Sequence, residues 1–168
     1  NKMLGSLQDA GNTVTLAGYI NLLNESGLLC GLHKFSIDNA RRKASIPKLQ
    51  VYNNALKMVY NSLSFEQSLL DRKHWGRIFE SGIGAYLVSQ AFTHRFEVYY
   101  WRERNDEVDF ILRKNNSLIA IEVKSNAEKN TSGLDKFRQN FNPDKAFIVG
   151  EGGITPEEFL SMNIKKLF

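Results

Sequence analysis

The sequence predicts an α/β chain in two parts, and three patterns carry that prediction. Residues 13–52 run helix, strand, basic segment, strand. Residues 64–168 run α-β-β-β-α-β-α, a three-stranded meander followed by a crossover helix and a fourth strand. Within the meander, two β-like runs (107–113 and 118–124) flank Asn115-Asn116, a pair suited to a tight hairpin turn. A length of 168 residues allows one large domain or two small ones. We place a boundary near residue 63, giving units 1–63 and 64–168, with no Gly/Ser- or Pro-rich linker to hold them apart.

The elements follow in chain order. Thr13 or Thr15 can cap a helix carrying Leu16, Tyr19, Ile20 and Leu23 at helical spacing, and Gly27 suits its C-terminal cap. Residues 28–35 read as a strand, 36–45 as a polar and basic tip, and 47–52 as a second strand. That order is the order of a winged-helix module with the tip as its wing, and equally of a small packing unit with no nucleic-acid role. Ser64 and Gln67 match a capping box. From Asp71 to about Phe92, Trp75, Ile78, Phe79, Ile83 and Leu87 recur at spacings of three and four, an amphipathic helix. The aromatic, β-branched run at 96–101 reads as a central strand. Leu134, Phe137 and Phe141 mark a short helix, and residues 145–149 a further strand. Thr155-Pro156-Glu157-Glu158 is a strong helix start.

Composition is ordinary for a globular chain, at 42% hydrophobic and 24% charged residues. No apolar run approaches the ~18 residues that span a bilayer, so no membrane partner is expected. Cys30 is the single cysteine, which excludes an internal disulfide framework and a cysteine-based zinc site, and fits a reducing, cytoplasmic setting. Because the chain opens at Asn1, we expect it to be a piece of something longer. The net charge of +4 is unevenly placed: Lys34, Arg41, Arg42, Lys43 and Lys48 face only Asp38 within residues 34–48. Such a patch suits a nucleic acid, although a solvated loop has the same composition.

The chemistry concentrates in residues 109–124. A hairpin symmetric about Asn115 and Asn116 puts Asp109 across from Glu122, where facing Cβ atoms lie roughly 4.5–5.5 Å apart and like charges repel. The strand period of two puts Lys124 on the face of Glu122. Two facing carboxylates beside an ammonium group hold a structure together poorly and cradle a hard divalent cation well. One residue of slip would separate them, and Glu-Val-Lys on a strand is also a common surface pattern. Glu80 lies on the preceding helix with Gly76 and Gly84 one turn to either side. Each glycine costs about 1 kcal/mol in a helix, so that face must stay clear, for close packing or for a metal and its ligands.

With an acid on the first helix (Glu80), Asp109 on the second strand, and Glu122-Val123-Lys124 on the third, the sequence resembles the PD-(D/E)XK phosphodiesterase superfamily. Its restriction-endonuclease-like core runs α-β-β-β-α-β. Val108 stands where the motif has proline. The wider pattern of Pro47-Lys48-Leu49, W-G-R-I-F-E (75–80), Y-Y-W-R (99–102), E-V-D-F (107–110) and I-E-V-K-S (121–125) resembles the C-terminal region of a family of bacterial and archaeal AAA+ ATPases. In that family a domain of uncharacterised function follows the nucleotide-binding core.

The resemblance implies a winged-helix-like unit and a nuclease-like domain acting on nucleic acid, attached to an upstream ATPase domain of the same polypeptide. Asp109, Glu122 and a neighbouring backbone carbonyl would hold Mg²⁺ or Mn²⁺, with Glu80 reaching it through a water or a second ion. Lys124 would orient the attacking water or stabilise the pentavalent phosphorus. Lys136, Arg138 and Gln139 on the following helix would touch the phosphate backbone, as would the basic tip at Arg41, Arg42 and Lys43. ATP would bind only upstream, since no G-x-x-x-x-G-K-[ST] occurs here. The alternative is a non-catalytic module that binds nucleic acid or protein for that ATPase. His33, His74 and His94 are scattered and show no ligand spacing.

Overall fold

The computed structural model describes residues 12–38, 45–126 and 132–168, so the basic residues Arg41, Arg42 and Lys43 lie outside it. Helix α1 (Thr13–Glu25) is capped one residue ahead of Thr13, because the Asn12 side chain accepts from the Val14 and Thr15 amides. Just past its C-cap, Gly27 has a φ of 69°, the left-handed conformation of a helix stop. Strands β1 (Leu29–Leu32) and β2 (Lys48–Val51) pair antiparallel as a sheet of their own, with Leu32 opposite Lys48.

Helices α2 (Asn54–Met58), α3 (Phe65–Leu70) and α4 (Arg72–His94) follow. The Ser64–Gln67 capping box opens α3, and Asp71 caps α4 through the His74 amide. The second sheet comprises β3 (Glu97–Glu103), β4 (Asp106–Lys114), β5 (Ser117–Lys124) and β6 (Lys145–Gly150), in that spatial order. The first three run antiparallel. Helix α5 (Ser132–Phe141) then carries the chain over so that β6 lies parallel to β5. Helix α6 (Pro156–Ser161), capped by Thr155 and Glu158, and a 3₁₀ turn (Ile164–Leu167) close the chain.

The two faces of this sheet are both covered. Ile83 and Leu87 of α4 pack on Phe110, Leu112, Ile119 and Ile121. Leu134 and Phe137 of α5 pack with Val108, Ile111 and Ala120 of the same strands. The aromatic strand expected at the centre of the sheet is β3, and it lies at the edge. Its aromatics are buried by α5, where Trp101 sits edge-on to Phe137 and Phe141, and by the N-terminal unit. The Phe35 amide donates to the Tyr100 carbonyl at 2.6 Å, and the Tyr100 amide to the His33 carbonyl at 3.2 Å. Phe35 also sits edge-on to Tyr99, Phe137 and Phe141. Cys30 and Leu32 enter the same core as Leu87 and Phe110, so the two parts of the chain share one hydrophobic interior. Among the described residues, no helix is long and apolar enough to cross a membrane.

Candidate active site

Asn115 and Asn116 turn the β4–β5 hairpin, with Asn115 at φ 53°. Pairing then runs Lys114–Ser117, Arg113–Leu118, Leu112–Ile119, Ile111–Ala120 and Phe110–Ile121, the symmetric register. The ladder ends there, one step short of Asp109 and Glu122. Beyond it the Val123 amide donates to Asp109 Oδ2 at 2.9 Å, so the carboxylate takes the place of a strand carbonyl. On its other side β4 carries a bulge. Tyr99 pairs with Ile111 and Trp101 with Val108, leaving Asp109 and Phe110 together opposite Tyr100. A bulge re-aims side chains and ends regular pairing. This one falls on the aspartate.

The carboxylates are buried and crowded. Asp109 and Glu122 are each only 7% exposed. Burial, then the negative charges of Glu80 and Glu122, push the Asp109 carboxyl up to about 8, against the opposing pull of Lys48 and the Val123 amide. Burial also raises Glu122, while Lys124, 2.7 Å from its Oε1, works the other way. Glu122 Oε2 is buried with no hydrogen-bond partner among the described residues. A buried carboxylate oxygen without a partner is costly, and it is an acceptor for a proton donor or a ligand for a metal ion.

Glu80 reaches this group from α4, which the glycines let approach closely. A side chain at Gly84 would collide with Gln50 and meet Phe110 Cζ at 2.8 Å; one at Gly76 would meet Ser125 Oγ at 3.1 Å. Packing therefore accounts for Gly84. Lys124 is held from below by the turn after β6. The Glu151 amide donates to its carbonyl at 2.9 Å, and Gly150, at φ 105°, leaves room for that carbonyl.

One residue of the site was not expected. Lys48, the first residue of β2, places Nζ 2.5 Å from Glu80 Oε1 and 3.7 Å from Asp109 Oδ1. The same ammonium stands 5.2 Å from the Phe110 ring centroid. Burial disfavours its charge, but Glu80 and Asp109 outweigh that and raise its pKa above the ordinary lysine value. The sequence signal was the Pro47-Lys48-Leu49 triplet, whose lysine reads as part of a basic patch until the fold sets it against acids. As they stand, no three His, Cys, Asp or Glu side chains among the described residues are grouped to hold a metal ion. The cation held between Glu80 and Asp109 is the Lys48 ammonium.

A cleft of about 740 Å³ opens beside Lys48 and Glu80, and Lys34, Tyr100, Arg102 and Arg104 also line it. The basic residues expected on α5 are engaged elsewhere. Lys136 pairs with Asp106 at 3.0 Å, and Arg138 with Asp135 and the Ala146 carbonyl. Gln139 is exposed.

Comparison with known families gives a match over residues 75–160, just over half of the chain, to "Domain of unknown function (DUF4143)". The chain belongs to the DUF4143 family. Domains of this family are known to sit C-terminal to AAA ATPase domains. Neither the curated proteins nor the solved structures contain a match to the chain. The DUF4143 match takes in Glu80, Asp109, Glu122 and Lys124, whereas Lys48 lies outside it, in the preceding hairpin.

Proposed function

We propose that the DUF4143 domain of this chain is a restriction-endonuclease-like phosphodiesterase that cleaves nucleic acid with the help of Mg²⁺ or Mn²⁺. The observation that carries the reading is Glu122 Oε2, a buried carboxylate oxygen with no hydrogen-bond partner among the described residues, beside Asp109, whose own charge burial opposes. A divalent cation would give such an oxygen a partner. Asp109 and Glu122 would hold it, with Glu80 reaching it through a water or a second ion. Bound there, it would supply Lewis acidity toward water and a phosphate oxygen.

The chain's own groups have separate tasks. The Val123 amide fixes Asp109, and Lys124 carries positive charge beside Glu122 where a phosphate can meet it. The cleft admits a polyanion past Lys34, Arg102 and Arg104. The hairpin of β1 and β2 acts as a winged-helix-like unit against the same strand, and the whole follows an ATPase domain in a cytoplasmic protein.

A non-catalytic binding module is the second reading, and Lys48 favours it, since an ammonium group already balances Glu80 and Asp109. Titration calorimetry with Mg²⁺ and Mn²⁺ separates the two. The enzyme reading expects metal binding by the wild type that Asp109→Ala abolishes, with cleavage of a DNA or RNA substrate lost in the same variant. Absence of metal binding and of cleavage in the wild type leaves the module.

A further inference from the structure

We propose that Lys48 is an internal counter-ion which competes with a divalent cation for Glu80 and Asp109, so that metal entry requires the ammonium to leave. The inference rests on the metal-dependent reading above, and gives that site a control element in a different part of the chain.

Three observations converge on it. The first is position. Lys48 Nζ contacts Glu80 Oε1 at 2.5 Å and stands 3.7 Å from Asp109 Oδ1, between an acid of α4 and an acid of β4. A divalent ion held by Asp109 and Glu122, with Glu80 reaching it through a water, would bind its oxygen ligands at about 2.0–2.1 Å for Mg²⁺. An ammonium at this place and a dication at that distance repel each other and contend for the same lone pairs. The second is origin. Lys48 belongs to the separate β1–β2 sheet, where it pairs with Leu32. Gln50, two residues on, donates from Nε2 to the Ser81 carbonyl, one residue from Glu80. The lysine is thus docked onto α4 by its own strand, and it can withdraw only by rotating its side chain into the cleft or by a shift of the hairpin. The third is the unfilled valence. With Lys48 in place, Glu122 Oε2 has no hydrogen-bond partner among the described residues, so the ammonium balances Glu80 and Asp109 but leaves unsatisfied the acid that would share a cation with Asp109.

Lys48 withdrawn into the cleft would stand with Lys34 and Arg102, where a substrate phosphate could take over from Glu80 as its partner. Phosphate and metal would then bind cooperatively, each favouring the state in which the lysine has left.

Calorimetric titration of Mg²⁺ and Mn²⁺ into the wild type and into Lys48→Met, with thermal melts to verify folding, tests this. The expected result is metal binding about tenfold or more tighter in Lys48→Met. Equal or weaker binding in the variant overturns the role of Lys48 while leaving the metal site standing. Absence of binding in both proteins overturns the metal site and Lys48 with it. Should Lys48→Met fail to fold, the wild type answers directly through the ¹⁵N signal of the Lys48 ammonium group. That signal should move or broaden at saturating Mg²⁺; if it stays unchanged while metal binds, the proposal is wrong.

Discussion

A carboxyl group whose folded-state pKa lies above its unfolded value lowers stability as pH rises, and Asp109 is such a group. Its pKa is pushed up to about 8 from the ordinary 3.8, first by burial and then by Glu80 and Glu122. Across that window the folded chain holds a proton the unfolded chain has lost, so stability is greatest on the acid side and declines through the window. Asparagine keeps an oxygen for the Val123 amide and carries no charge. Asp109→Asn should therefore raise stability at pH 7.5 by on the order of 1–3 kcal/mol, and flatten the decline between pH 5 and 8, measured by urea denaturation across that range. A variant less stable than wild type at pH 7.5 would mean that the pairing with Lys48 outweighs the crowding of the acids. The same substitution should abolish metal binding, a trade expected where function maintains an unfavourable charge.

At the scale of elements, the junction of β5, β6 and the turn after it sets where Lys124 stands. The Lys124 carbonyl accepts from Glu151, and a Cβ at Gly150 would collide with that carbonyl and meet Phe79 Cε1 at 3.0 Å. Gly150 also has φ 105°, a conformation that side-chain-bearing residues rarely adopt. Gly150→Ala should cost about 2–4 kcal/mol and move β5 at Lys124; thermal melts and the Lys124 resonances would record both. A change below ~0.5 kcal/mol would show that the turn tolerates rearrangement. The β4–β5 register was legible in the sequence, because two asparagines between equal β-runs leave little choice of pairing. The bulge at Asp109 and Phe110 was not. It arises from how β4 meets β3 across the sheet, and a strand's own alternation carries no record of its partner's spacing. Sheet position was hidden for a similar reason. The aromatics of β3 signalled burial correctly, but what buries that edge is residues 33–35, some 65 positions earlier in the chain.

At the scale of the molecule, the two parts fold into one interior, and the candidate site straddles them. The neighbourhood of Asp109, Glu122 and Lys124 could be read from spacing, because a hairpin's periodicity places neighbours without reference to the rest of the fold, whereas Glu80 joined them only through the family resemblance. Lys48 could not be read so, because nothing local relates β2 to α4. Only the docking of the hairpin brings its lysine to Glu80 and its Gln50 to the Ser81 carbonyl. That docking should govern stability as well. Leu32 is 4% exposed, pairs with Lys48 across the hairpin, and packs in the core that holds Leu87 and Phe110. Leu32→Ala removes apolar contact from both parts at once, at a cost of about 2–4 kcal/mol. If the shared interior makes one cooperative unit, the variant should unfold in a single transition, and hydrogen-exchange protection in β4 and β5 should fall in step with that of β1 and β2. If instead the hairpin loses protection while the four-stranded sheet keeps its own, the N-terminal unit is a separately stable cover. Lys48 could then come and go with the hairpin while the acids stayed in place.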